Sequence, residues 1–148
     1  MAPSRGCFTK GLRTLGLSDS PQGHNPLRWN CAEQGCFNKL RRPKIEVFAD
    51  CFPRRINFGD VDGLVELNGK GLLLEWKCGT GQLPTGQKRA YQNLTKTGLL
   101  TVICITGNAE TMECDSYGLF YQGRWHEYRR ANLDMVKKII RRWVDVAK

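Results

Sequence analysis

Asp62, Glu75 and Lys77 are the residues of this chain best spaced to act together, because one turn signal decides which side chains meet. Residues 59–67 and 71–77 read as two strands, and the Asn68-Gly69 between them is the dipeptide typical of a two-residue type I′ hairpin. With Leu67 facing Lys70, the register sets Asp62 across from Glu75 and Asp60 across from Lys77. Juxtaposed carboxylates repel, so the pair asks for a cation, and hard oxygen ligands suit magnesium or manganese. A lysine beside them can steady a phosphate oxygen or the hydroxide that attacks it, a set coherent with phosphodiester hydrolysis. The opposite hairpin face carries Val61, Val65, Leu67, Leu72, Leu74 and Trp76, an apolar set for packing on a core. Charged outer faces on alternating strands are also common as plain solvated surface with cross-strand ion pairs.

The elements that must position this hairpin follow from pattern. Residues 1–28, rich in Gly, Ser, Pro, Arg and Lys, read as a basic arm, partly disordered or laid on a nucleic acid, and 29–148 as a single domain. Asn30 can cap a helix over 31–41 that Pro43 stops. Residues 44–50 alternate as a strand with Ile45, Val47 and Ala49 on one face, ended by Pro53. After the hairpin, residues 79–84 form a loop into a helix over 85–96, closed by Gly98. Residues 99–106 are a continuous apolar run of the kind buried on both faces of a sheet. The fold class is therefore α/β, with an α-β-β-β-α-β core over about residues 30–106 and a mixed sheet.

Beyond Gly107 the pattern adds a peripheral hairpin, 117–121 and 124–128 around Gln122-Gly123, and an amphipathic helix over 131–148. Leu133, Val136, Ile140, Trp143 and Ala147 point inward on that helix, while Lys137, Lys138, Arg141 and Arg142 form either a solvated face or a DNA contact. On the helix after the first hairpin, Gln87 and Tyr91 are four apart and share a face with Ala90 and Leu94, which approach the sheet. There the glutamine can hold a water or a phosphate and the tyrosine can reach a substrate backbone, or they are a capping glutamine and a core-edge tyrosine.

Three spaced elements carry a family resemblance. Asp62 followed by Glu75-Trp76-Lys77 resembles the Asp…(Asp/Glu)-x-Lys signature of the PD-(D/E)xK nuclease superfamily, and Gly59-Asp60-Val61-Asp62 resembles the G-x-(I/V)-D element of its RecB-like and VRR-NUC-like branches. Gln87-Lys88-Arg89-Ala90-Tyr91 resembles the Q-x-x-x-Y element that follows in RecB-like nucleases. No proline precedes the aspartate, which leaves Asp60 and Asp62 both eligible as the family residue, and register favours Asp62. The resemblance implies a restriction-endonuclease-like core and a Mg2+- or Mn2+-dependent deoxyribonuclease, acting as a structure-selective endonuclease or junction resolvase. Its metal ligands would be Asp62, Glu75 and the backbone carbonyl of Trp76. Glu33 stands where VRR-NUC relatives place an extra acidic ligand, although it also sits three after Asn30 in a capping-box arrangement. Lys77, Gln87 and Tyr91 complete the implied catalytic set. The other expectations from the residues are a non-cleaving DNA-binding module of the same fold, or an interaction protein that inhibits a nucleic-acid-processing enzyme.

Composition agrees with a polyanionic partner. The 148 residues carry 23 Lys and Arg against 14 Asp and Glu, a formal charge of +9, which predicts attraction to DNA and is also found in plain basic proteins. No segment approaches the ~20 apolar residues of a spanning helix, and the first residues lack the apolar run of a secretory signal, so the expectation is an intracellular, cytoplasmic protein of prokaryotic or phage type, with no membrane partner. Junction cutting would further need a homodimer presenting two sites. The seven cysteines are expected to be reduced and buried; His24, Cys31, Cys36 and Cys51 are too loosely spaced for a structural zinc, and none is expected.

Overall fold

The computed structural model describes residues 44–53, 56 and 58–148. Residues 60–148 belong to one compact unit, and the described residues before Asp60 belong to a second. In the second unit, Ile45–Cys51 is a 3-10 helix rather than the expected strand. Alternation of Ile45, Val47 and Ala49 supplied the strand pattern, but the backbone closes on itself, with the Val47 N–H donating to the Lys44 carbonyl at 3.2 Å. Phe58 meets Phe48 and Phe52 edge-on, at centroid distances of 6.1 and 5.1 Å. The expected arm over 1–28, the helix over 31–41 with Glu33, and His24, Cys31 and Cys36 lie outside the described residues.

The larger unit is α/β, a five-stranded mixed sheet with two helices. Its elements are β1 (Gly63–Leu67), β2 (Lys70–Lys77), α1 (Thr85–Leu94), β3 (Leu100–Asn108), β4 (Glu113–Tyr121), β5 (Arg124–Arg130) and α2 (Leu133–Ala147). The strands lie side by side in chain order. Asn68 and Gly69 take φ values of 51° and 79°, the left-handed pair that a type I′ turn demands, and Leu67 pairs with Lys70 as expected. Gln122 and Gly123 repeat the device at 50° and 76° between β4 and β5. β2 and β3 run parallel, which requires a crossover, and α1 is that crossover.

The sheet is covered on both faces. On one, Leu72, Leu74 and Trp76 of β2 join Ile103 and Ile105 of β3 beneath Val136, Ile140 and Trp143 of α2. On the other, Leu73, Val102, Cys104 and Phe120 pack with Tyr91 of α1 and Trp125 of β5. β3 is therefore buried through Thr101–Thr106, which explains its unbroken apolar run. The hairpin turn also closes the end of α2. Asn68 Nδ2 donates to the Ala147 carbonyl at 3.2 Å and Lys70 Nζ to the Val146 carbonyl at 2.6 Å, satisfying last-turn acceptors with a cation at the negative end of the helix.

Three expectations need correction. The C-terminal hairpin is not peripheral, because β4 pairs with β3 along most of its length and completes the sheet. Val61 and Val65 are exposed rather than core-facing, since Val65 lies on the edge strand β1 and Val61 precedes that strand, beyond the paired ladder. Ala90 and Leu94 also face solvent, Leu94 at 55 % exposure, because α1 turns Gln87, Tyr91 and Thr95 toward the sheet instead. Among the described residues no helix is long and apolar enough to cross a membrane.

Gly118 of β4 gives a stability test. A Cβ there would lie 2.2 Å from Cη2 of Trp125, whose ring packs on Phe120 at 4.6 Å. Gly118→Ala must push that ring off its seat, and overpacking of this kind costs about 1–3 kcal/mol. Urea unfolding should show a lower midpoint with an unchanged slope; an unshifted midpoint would mean that the ring has a second seat.

Candidate functional site

Glu75 is the centre from which the site is built. It lies on β2, points to the α1 face, and is only 6 % exposed, so its carboxylate must find donors inside the protein. Oε1 takes an ion pair from Lys77 Nζ at 2.6 Å and a hydrogen bond from Gln87 Nε2 at 3.0 Å. Tyr91 Oη donates to Oε2 at 2.6 Å and itself accepts from Gln87 Nε2 at 3.0 Å. A carboxylate only accepts, so the amide nitrogen of Gln87 is the atom that faces it. This leaves Gln87 Oε1 buried without a partner among the described residues.

Local structure explains why these four meet. Glu75 and Lys77 are two apart on one strand and so share a face, while Gln87 and Tyr91 are one helical turn apart and share another. The parallel β2–β3 crossover lays α1 over that strand face. Thr95 pins the end of the helix, donating to the Tyr91 carbonyl at 2.8 Å and accepting the Gly123 N–H at 3.2 Å. Burial and the bond to Glu75 hold the Tyr91 hydroxyl well above its usual range, so it stays a donor. Cys104, the neighbour of Glu75 on β3, lies on the same face, and burial together with the Glu75 charge pushes its thiol up to about 12. Motif spacing gave no sign of Cys104; only the strand register reveals it.

Asp62 joins differently from its expected place directly across from Glu75. The paired ladder ends at Gly63 and Leu74. Beyond it, the Asp62 N–H donates to the Leu74 carbonyl at 3.1 Å and the Asp62 carboxylate accepts the Trp76 N–H at 2.5 Å, so the aspartate closes the end of the ladder. Asp60, expected opposite Lys77, also lies beyond the ladder, and Lys77 pairs with Glu75 instead. Burial raises the Asp62 pKa above the usual carboxylate range; the Trp76 amide opposes this, the charges of Glu75 and Asp60 add to it, and Lys77 offsets part. The N–H and C=O of a strand residue point to the same edge, so the Trp76 carbonyl lies on the side of Asp62.

Glu75, Lys77, Gln87 and Tyr91 are thus in direct contact, Asp62 is coupled to them through charge and through Trp76, and Glu33 lies outside the described residues. Among the described residues no group of three His, Cys, Asp or Glu side chains is gathered closely enough to hold a metal. The oxygens available are the two carboxylates, the Trp76 carbonyl and the unpartnered Gln87 Oε1, an all-oxygen set of the type that suits a hard divalent cation. Lys137, Lys138, Arg141 and Arg142 are exposed on α2, over the other face of the sheet. Of the cysteines, Cys51, Cys104 and Cys114 are free thiols, Cys51 being exposed, and Cys78 is disulfide-bonded, which corrects the expectation of reduced, buried cysteines throughout.

The raised Asp62 pKa has a signed consequence. The folded site binds that proton more tightly than the unfolded chain, so its contribution to stability is present below the ordinary aspartate value and lost as pH rises through the folded one. Asp62→Asn, which can still accept the Trp76 N–H, should raise Tm at pH 7 by about 1–3 °C, a small gain because the carboxylate is partly solvated and screened. The gain should fade below about pH 4, where the wild-type carboxyl is protonated as well. A variant less stable than wild type at pH 7 would show that the charged carboxylate's bond to the Trp76 N–H outweighs the cost of its burial and the repulsion from its neighbours. No family model matches this chain, and neither a curated protein nor a solved structure is similar enough to match.

Proposed function

We propose that this chain is a Mg2+- or Mn2+-dependent deoxyribonuclease of the PD-(D/E)xK type that hydrolyses DNA phosphodiester bonds. The observation that carries this is the convergence of Lys77, Gln87 and Tyr91 on one buried carboxylate, Glu75, at the end of the hairpin that also carries Asp62. Elements separate in sequence meet with the functional groups that in-line attack on phosphorus needs. The hairpin, α1 and β3 would be the ββαβ part of a restriction-endonuclease-like core, with a 3-10 turn where that core would have its first strand.

The metal would be held by Asp62, Glu75 and the Trp76 carbonyl, with Gln87 Oε1 as a further oxygen. A carboxylate has about four acceptor positions, and Glu75 uses three on Lys77, Gln87 and Tyr91, which leaves one. Negative charge from Asp60, Asp62 and Glu75 with one close lysine favours a divalent cation there. Bound magnesium or manganese supplies Lewis-acid polarisation of the phosphate and lowers the pKa of water. Lys77 orients the attacking water and balances charge developing on the phosphate oxygens. Gln87 and Tyr91 fix Glu75 and position the substrate backbone. The products would end in 5′-phosphate. A net charge of +9 draws the chain to DNA whatever its sequence.

A second reading, a DNA-binding module of the same fold without turnover, is favoured by one observation: no three-ligand group is gathered among the described residues. Cleavage of labelled duplex, circular single strand, flap and four-way-junction DNA with magnesium or manganese separates the two. Asp62→Ala, Glu75→Gln and Lys77→Met should each lower cleavage by about 100-fold or more, as loss of a transition-state charge contact does, with the far-ultraviolet circular dichroism unchanged. Chelator should abolish cleavage. Wild-type rates in Glu75→Gln would refute the site, and DNA binding without scission at any metal concentration would establish the binding module.

A further inference from the structure

We infer that a pocket beside Glu75 receives one unpaired nucleobase, which makes single-stranded, flapped or locally melted DNA the substrate class. The selectivity for substrate rests on the nuclease reading above; the base pocket itself does not. A cavity of ≈ 330 Å³ opens on the α1 face between the loop before α1, the first turn of α1 and β5. Two aromatic side chains, Trp125 and Tyr128, and four polar ones, Thr80, Gln82, Lys88 and Glu127, line it.

The aromatic wall is rigid. Tyr128 Oη donates to the Gly81 carbonyl at 2.6 Å, so its hydroxyl is occupied and its ring is what the cavity receives. Trp125 stands against Tyr128 at 5.1 Å and against Phe120 at 4.6 Å. Gln82, Lys88 and Glu127, by contrast, make no side-chain hydrogen bond or ion pair among the described residues. A free surface lysine or glutamate is ordinary taken singly. Here donor and acceptor groups without internal partners surround an ordered aromatic surface, which is the combination that reads a flat ring carrying hydrogen-bonding edges.

Position selects a base rather than another flat ligand. Lys88 follows Gln87 directly, so consecutive residues of α1 serve the carboxylate centre and the pocket. A strand whose phosphate lies at Glu75 and Lys77 would carry an adjoining nucleotide past this opening. Bases in a continuous duplex show only their edges, and the faces are already stacked on each other, so the aromatic wall is useful only to a base that has left its partner.

The test is equilibrium binding in chelator, where cleavage cannot interfere. A short labelled single-stranded DNA is compared with the same length of duplex and with an abasic sugar-phosphate strand, for wild type and for Lys88→Gln/Glu127→Gln, a pair that leaves net charge unchanged. Wild type should bind the single strand about tenfold or more tighter than the abasic strand, within the range of one base–aromatic stack. The double variant, which keeps both rings and changes only the groups that read the base edges, should reduce that preference several-fold while keeping its affinity for the abasic strand. Equal binding of single and abasic strands by wild type, or an undiminished preference in the double variant, overturns the pocket. Displacement of the strand by a free deoxynucleoside monophosphate at equal concentration would also overturn it, by assigning the cavity to a mononucleotide. Base-selective binding without cleavage under any metal keeps the pocket and removes the nuclease; cleavage without base selectivity does the reverse.

Discussion

Burial of the Glu75 carboxylate sets the terms for everything around it. An ionised group taken from water costs several kcal/mol unless donors replace its hydration, and here three donors do so from two elements. Lys77 arrives by strand alternation, but Gln87 and Tyr91 arrive only if α1 lies over β2 in one rotational setting. In that setting Tyr91 and Thr95 are buried while Leu94 is left 55 % exposed, and the Tyr91 ring packs against Phe120 at 5.5 Å, so one helix face serves both the carboxylate and the apolar core.

The same arrangement explains what the residues revealed and what they concealed. The hairpin register was legible to the residue, because Asn68-Gly69 dictates one turn geometry and every pairing up to Gly63–Leu74 follows from it. β3 was legible from its unbroken apolar run, and Gln87 with Tyr91 from helical spacing. The rotation of α1 was not, since Ala90 and Leu94 looked like the buried pair and no local rule weighs them against a carboxylate on another strand. Nor was the fate of Asp62, which stops pairing one residue before the register would have set it opposite Glu75 and takes the Trp76 amide with its side chain. Residues 44–50 misled for a simpler reason: alternation fixes which side chains share a face, but a strand also needs a neighbour for its N–H and C=O groups, and this segment bonds to itself.

Charge is divided between the two faces of the sheet. The carboxylates gather at the end of the hairpin, with Lys77 within the cluster, whereas the exposed basic residues of α2 cover the opposite face. Burial is the main reason that the Asp62 pKa is raised, and the charges of Glu75 and Asp60 add to it.

The aromatic wall beside the centre depends on a non-local feature of another kind. Trp125 and Tyr128 are three apart on β5, and strict alternation would send their rings to opposite faces. Tyr117 pairs with Arg129 but Leu119 with His126, so Gly118 alone stands across from both Glu127 and Tyr128. This bulge adds the residue that returns Tyr128 to the side of Trp125. Gly118 also contributes by absence, since its missing Cβ is the space into which the Trp125 ring fits. One irregular step in the pairing of β4 with β5 thus places both rings over the face that carries Glu75. Because a bulge arises from two strands together, no periodicity within β5 alone could have disclosed it.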